Sequence, residues 1–407
     1  MPAQPSAYCT RVNDRRRVGV SAARELGELR VSVALIMGKH PAISEGLLKM
    51  NLRRNRIFAA MLPVSLVAAL FIFSAATCRA AAVPHPPMQS LPCPYAIASM
   101  RLHTRRNRIL NNQGKIVVVH GVDLPSMEWT DRGQHIRRSL AWAVKHWHIQ
   151  IVRIPTSDAR WFGQMPGQSH GGTIYRHILD QLIMYAARHH VYVVFDLHWT
   201  DMGGHLSALG QHRMPGPNSI VFWRSAARRY KNFPNVLFDV YNEPHGIPWS
   251  LWLDGGPCAG ETKHAVVFYP AAGMQRLYDV VRHAGAKNIV IIGGLSWAYN
   301  VFAMAHGVLV KGKDIVYDCH VYPWKHHWKR SFEGAVHKVP VIFDEFGGNG
   351  HQLAFGRRVI AYAAKHDISW CAWSFHPQAG PVLIKNWQYQ PSTFGKMIKA
   401  AITAGHE

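Results

Sequence analysis

From about Arg101 onward the chain alternates between two hydrophobic patterns. Short, β-branched apolar runs of strand length are followed by stretches whose apolar residues recur at helical spacing. Eight runs read as strands: 115–124, 149–155, 191–199, 236–243, 288–294, 315–322, 339–347 and 368–375. Helical spacing is clearest in 173–190, where Ile174, Ile178, Leu182 and Tyr185 fall on one face. It recurs in 218–232, 271–285, 351–366 and 392–405. Near-continuous apolar strands belong to parallel sheets buried on both faces. Eight strand–helix units in about 300 residues fit a (β/α)8 TIM barrel, which predicts one α/β domain over 100–407. An open doubly wound sheet is the competing architecture. It usually has a glycine-rich first turn, and HGVDLPSMEW at 120–129 is not one.

The pattern before the barrel is different. MNLRRNR at 50–56 is basic, IFAAMLPVSLVAALFIF at 57–73 is apolar, and small residues continue up to Ala80-Ala81-Ala82. That order predicts a signal peptide over 50–82. It also predicts that residues 1–49 are a misassigned extension and that translation starts at Met50. An uncleaved membrane anchor is the alternative; the run is at the short limit for spanning and contains Pro63. Arg53, Arg54 and Arg56 outweigh Arg79, so the chain beyond residue 82 is expected to be exported in either case. Residues 83–99 include the proline-rich PHPPMQSLPCP and read as a linker.

Composition narrows the function only slightly. The formal charge is +23; residues 1–82 carry +8 of it, which leaves +15 for the rest. The basic residues are scattered and no nucleic-acid-binding motif accompanies them, so a solvated basic surface is the expectation. Four of the six cysteines lie beyond residue 82 and none has metal spacing. Cys319 and Cys371 fall inside strands and read as buried thiols. The His-rich pieces, such as His189-His190 and His326-His327, lack ligand spacing. Neither a metal nor another cofactor is expected.

The chemistry is concentrated at one end of the strands. Active sites of such barrels form at the C-terminal strand ends. There the chain places Arg153, His198-Trp199, Asn242-Glu243, His320 with Tyr322, Glu345 and Trp373. Singly, each has an ordinary explanation as a solvated, hydrogen-bonded or core residue. Six strands placing such groups at the same end is harder to explain that way. Two carboxylates facing each other across one mouth suit retaining glycoside hydrolysis, in which one attacks and the other donates a proton. The attacking carboxylate needs donors close by, and Arg153 and Tyr322 are candidates to hold Glu345. The proton donor needs a less polar pocket. Asp196, Asp239 and Asp318 precede functional residues by two or four positions, on the same side of their strands. They are candidates to orient His198 and His320 or to satisfy Arg153, with strand-end capping as the alternative.

YNEP at 241–244 and DEFG at 344–347, with VRIP, DLHW, HVY and WSF between and around them, resemble glycoside hydrolase family 5, the cellulase family of clan A. The resemblance covers 115–395. It implies that Glu243 is the general acid/base and Glu345 the nucleophile. It also implies that Asn242 binds the sugar 2-hydroxyl, that Arg153 and Tyr322 hold Glu345, and that His198 and His320 shape the adjoining subsite. Trp373 would be the platform under the sugar. Separately from the resemblance, Trp199 at its strand end is a candidate to stack on a sugar face, since pyranose C–H surfaces suit aromatic planes. The acidic residue that some relatives carry near Lys385-Asn386 is absent here. The resulting expectation is an exported, monomeric endo-β-glycosidase on a β-1,4-linked polysaccharide, most simply cellulose. A β-mannanase, another β-glycosidase or a transglycosylase stands beside it, as do a non-catalytic carbohydrate-binding barrel and a membrane-anchored protein.

Overall fold

All eight predicted strands form, and they close into a ring. The computed structural model describes residues 88–202, 205–261 and 266–404. We number the ring strands β1 (His120–Asp123), β2 (Ile151–Ser157), β3 (Tyr192–Met202), β4 (Val236–Asp239), β5 (Val290–Gly293), β6 (Ile315–Asp318), β7 (Val341–Phe346) and β8 (Trp370–Ala372). Their order is β2-β1-β8-β7-β6-β5-β4-β3, and pairing of β2 with β3 completes the barrel. Every ring pair is parallel. Val152, Ile154, Val193, Val194, Phe238, Ile291, Ile292, Val316 and Ile342 have no exposed surface, as strands covered on both faces require. The first two strands approach closely at Gly121. A Cβ there would lie 1.7 Å from the Ile151 carbonyl oxygen, so only glycine lets β1 run beside the strand that carries Arg153.

The helices pack by the faces their periodicity gives them. Ile136–Trp147 buries Ile136, Leu140, Ala143 and Trp147, and Thr173–Arg188 buries Ile178, Leu182, Ile183 and Ala186. Each such aliphatic side chain contributes roughly 1.5–3 kcal/mol by leaving water. The strand–helix alternation is less regular than the sequence implies. After β5 and β6 the connections hold only short helices, Phe302–His306, Lys329–Glu333 and Ala335–His337. The described residues also contain three hairpins that the hydrophobic pattern does not reveal. One pairs Leu102–Arg105 with Arg108–Asn111, one pairs the end of β3 with His205–Gly210, and one pairs Gly255–Glu261 with Val266–Ala272.

The proline-rich segment is docked where it is described, rather than free as a linker would be. The Leu91 N–H donates to the Arg229 carbonyl at 2.8 Å, and Met88, Leu91, Cys93 and Tyr95 pack against the core. Cys319 and Cys371 are buried free thiols, as their positions in strands imply. Among the described residues no helix is long and apolar enough to cross a membrane. The readings of 1–49 and 50–82, including the apolar run 57–73, lie outside the described residues.

Candidate active site

The hydrogen-bonded part of most strands is shorter than the hydrophobic runs. The chain then continues past the ladder into the barrel mouth. Asn242 and Glu243 follow the end of β4, His320 and Tyr322 follow β6, and Trp373 follows β8. Backbone bonds hold these extensions in place: Asn242 N–H to the Leu197 carbonyl at 3.2 Å, and Val321 N–H to the Glu345 carbonyl at 3.0 Å.

Glu345 is the penultimate residue of β7 and is held from two sides. Arg153 Nη1 donates to Oε2 at 3.0 Å and the Tyr322 hydroxyl donates to Oε1 at 2.5 Å. Both donors anticipated from the sequence are in place. Burial, then the Glu345 charge, pushes the Tyr322 phenol well above its usual value, so it keeps its proton and donates. Glu243 has other partners. His320 Nδ1 lies 2.8 Å from its Oε1, and Gln211 Nε2 donates to its Oε2. An oxygen of Glu243 and an oxygen of Glu345 lie within 4.8 Å of each other.

The environment of Glu243 differs from the less polar pocket that a proton donor needs. Burial works to raise its pKa. The hydrogen bond and charge of His320, with Gln211, outweigh that and hold it at about 2. His320 moves the opposite way. Burial opposes its charge, yet Asp318 and Glu345 keep its pKa well above the usual histidine value. The free site therefore stores one proton in the Glu243–His320 pair, on the imidazole side.

Arg153 organises the barrel interior. It has no exposed surface, and it lies 3.4 Å from Asp123, 3.1 Å from Asp196, 3.1 Å from Asp239, 3.5 Å from Asp344 and 3.0 Å from Glu345. It also donates to the Asn242 side-chain oxygen at 2.6 Å. The three aspartates singled out in the sequence all point inward. Asp196 sits 2.7 Å from His198 Nδ1, Asp239 touches Arg153, and Asp318 sits 2.8 Å from His320 Nε2. One cation cannot balance so many buried anions, so several carboxyls retain protons. Burial pushes Asp123, Asp239 and Asp318 well above the usual range, and lifts Asp196 to about 7 against the pull of Arg153.

Asp196 therefore ties stability to pH. Its pKa is 3.8 when unperturbed and about 7 when folded, so folding takes up a proton between those values. Its contribution is full below the lower value and is lost as pH rises through about 7. The Tm advantage of the parent over Asp196→Asn is expected to shrink between pH 4 and 7 in a melting series. A pH-independent difference would contradict this.

The aromatic residues divide into two groups. Trp373 stacks on His198, with ring centroids 5.7 Å apart, and its Nε1–H donates to the Gly380 carbonyl at 3.1 Å. His198 Nε2 is 3.4 Å from the Asn242 amide; burial, then the Arg153 charge, pushes the ring's pKa down to about 3, so it is neutral. Trp324 is 59% exposed and stacks on Tyr322. Trp199 is set apart, against Trp129 at 6.3 Å, in a cluster with His376 and Trp387. Trp252 is wholly core.

Among the described residues, two sets of side chains bring ligand-type atoms together: Glu243, His320 and Glu345, and Asp318, His320 and Asp344. In both sets the imidazole is engaged by the carboxylates themselves and is held in its charged form, which has no lone pair to offer a metal. Sequence reading missed Gln211, Asp123 and Asp344. Gln211 follows the hairpin that extends β3. Asp123 ends a strand that carries few polar groups at its mouth end. Asp344 sits one residue from Glu345, where simple alternation puts it outside the barrel.

The barrel has counterparts among known proteins. A β-glucanase from Saccharophagus degradans, solved with cellotetraose, superposes with a TM-score of 0.63 at 19% identity, covering 80% of this chain and 99% of that one. The catalytic domain of the Thermobifida fusca endoglucanase superposes with a TM-score of 0.55 at 18% identity, covering 74% of this chain and 97% of that one. In sequence, an endoglucanase of Paenibacillus polymyxa is 22% identical over 75% of this chain and 89% of its own length. Endoglucanase N of Pectobacterium atrosepticum is 22% identical over 75% of this chain, which spans 66% of that protein. The sequence model of the cellulase family, glycosyl hydrolase family 5, matches residues 110–379, and the chain belongs to that family of enzymes.

Proposed function

We propose that the protein is an exported endo-β-glycosidase that cuts a β-1,4-linked glucan with retention, by double displacement. One observation carries this reading: two carboxylates face each other, an oxygen of each within 4.8 Å, and each is held by different partners. Retaining pairs stand about 5–5.5 Å apart and inverting pairs about 6.5–9.5 Å, to leave room for a water. Glu345, anchored by Arg153 and Tyr322, attacks the anomeric carbon. Glu243 protonates the leaving oxygen and then activates the water that releases the sugar. A sugar covering Glu243 excludes water and favours the uncharged form of the Glu243–His320 pair, so the stored proton crosses to the carboxyl. Asn242, fixed by Arg153, meets the 2-hydroxyl. The Trp373–His198 stack supplies an apolar plane for the ring being cut.

The choice of glucan is supported by the endoglucanase and β-glucanase relatives, one of which was solved with cellotetraose. Export is supported by the signal-like order of residues 50–82. A panel of carboxymethylcellulose, mixed-linkage β-glucan, mannan and xylan tests the substrate class. New reducing ends are expected chiefly from the two glucans. Preference for mannan would overturn the glucan assignment. Binding without cleavage of any of them would favour the non-catalytic alternative.

A further inference from the structure

The mechanism proposed above gives Glu345 a role and leaves its neighbour Asp344 without one; the present inference rests on that mechanism. Adjacent residues of a regular strand face opposite ways. In β7 the register shifts: Phe343 pairs with Trp370, and Phe346 pairs with Ala372. The bulge lets consecutive acidic residues both reach the barrel interior. Asp344 is completely buried, with Oδ2 3.5 Å from Arg153 Nε and Oδ1 3.3 Å from His320 Nε2. Its N–H donates to Asp318 Oδ1 at 3.2 Å. Arg153 is the cation that holds Glu345, and His320 is the one that holds Glu243.

We propose that Asp344 is a positioning residue that ties these two holders together, so that one buried anion sets the nucleophile and the acid/base relative to each other. The other interior aspartates reach one holder each. Asp123, Asp196 and Asp239 contact Arg153, and Asp318 contacts His320. Glu345 reaches both, at 3.0 and 3.5 Å, but loses its charge when it bonds to the sugar. Asp344 keeps the Arg153 guanidinium and the His320 ring in place through that intermediate. Burial works to raise its pKa, yet Arg153, Asp318 and His320 hold it at about 2, so it stays ionised across the working range.

The test uses the full chain and two aryl β-cellobiosides. Dinitrophenolate leaves without a proton, so kcat/KM on that substrate reads the nucleophile side alone. Phenolate needs the proton and reads both sides. Asp344→Asn is expected to lower kcat/KM on the dinitrophenyl substrate by about 10–100-fold and on the phenyl substrate by more, the scale of losing an orienting partner. Asp318→Asn, which of the two holders reaches His320 alone and keeps the side-chain oxygen that accepts from the Asp344 N–H, is expected to slow the phenyl substrate and spare the other. A dinitrophenyl rate for Asp344→Asn within about twofold of the parent, or equal losses on both substrates, would overturn the proposal. Asp344→Ser, with room for a water, carries the same expectations should the asparagine variant fail to fold. A parent that cleaves neither substrate, or a fully active Glu345→Ala, would instead sink the underlying mechanism.

Discussion

Glu345→Ala is expected to abolish turnover on β-glucan, by at least ~10⁴-fold, the scale seen when a covalent nucleophile is removed. The fold should survive. Glu345 is buried at the mouth, but it is one of several carboxyl groups around Arg153, and Asp123, Asp196, Asp239 and Asp344 still surround the guanidinium after its loss. The loss should fall on kcat more than on KM, because Trp373, His198 and Asn242 continue to bind the sugar. It should also extend to aryl substrates with excellent leaving groups, since no proton donor can replace an attacking group. Initial rates on the dinitrophenyl β-cellobioside, with a melting curve of the same preparation, check both halves. A variant that folds and turns over like the parent would remove Glu345 from the mechanism.

Arg153→Met is expected to act mainly on stability. The side chain is fully buried and is the cation that faces Asp123, Asp196, Asp239, Asp344 and Glu345 together. Removing one partner of a buried ion pair costs about 3–5 kcal/mol, because the remaining charge has neither water nor partner. For a domain of this size that lowers Tm by roughly 10 °C. The defect should be smaller at pH 5 than at pH 8. Without the guanidinium the carboxyls hold their protons more tightly, and neutral carboxyls can donate to one another. Arg153→Lys restores the charge but not the reach, since one ammonium cannot span the contacts of a guanidinium. It should fall between the two. Thermal melts of the three proteins at both pH values decide the matter; a methionine variant as stable as the parent would show that the cluster balances itself.

How much of this was legible before the fold was known depends on which interactions are local. The eight strands were, because a strand buried on both faces needs β-branched apolar runs that no loop resembles. Arg153, Asn242, Glu243, His320, Tyr322, Glu345 and Trp373 were, because parallel barrels gather strand ends at one mouth. Two-residue alternation put Asp196 and Asp318 on the side of His198 and His320 but left strand-end capping open; their contacts with the two rings decide for the inward aim. Asp344 was not legible, because the bulge that turns it inward is a property of how β7 pairs with β8. The proton held on His320 was not legible either. It depends on Asp318, Asp344, Glu243 and Glu345 converging on one ring from three strands. Trp199 followed its strand correctly but met Trp129 on a neighbouring loop, a contact that strand position alone does not reveal.

The central claim is that Glu345 forms a bond to the sugar. Adding azide to Glu345→Ala with the dinitrophenyl β-cellobioside, and reading the product anomer by NMR, tests it most directly. A small anion entering the space left by the missing carboxylate attacks from the same face, and with no second displacement the product is inverted. The account predicts restored turnover and an α-glycosyl azide. Restored turnover with a β-configured azide, or activity in the variant that azide does not change, would contradict it.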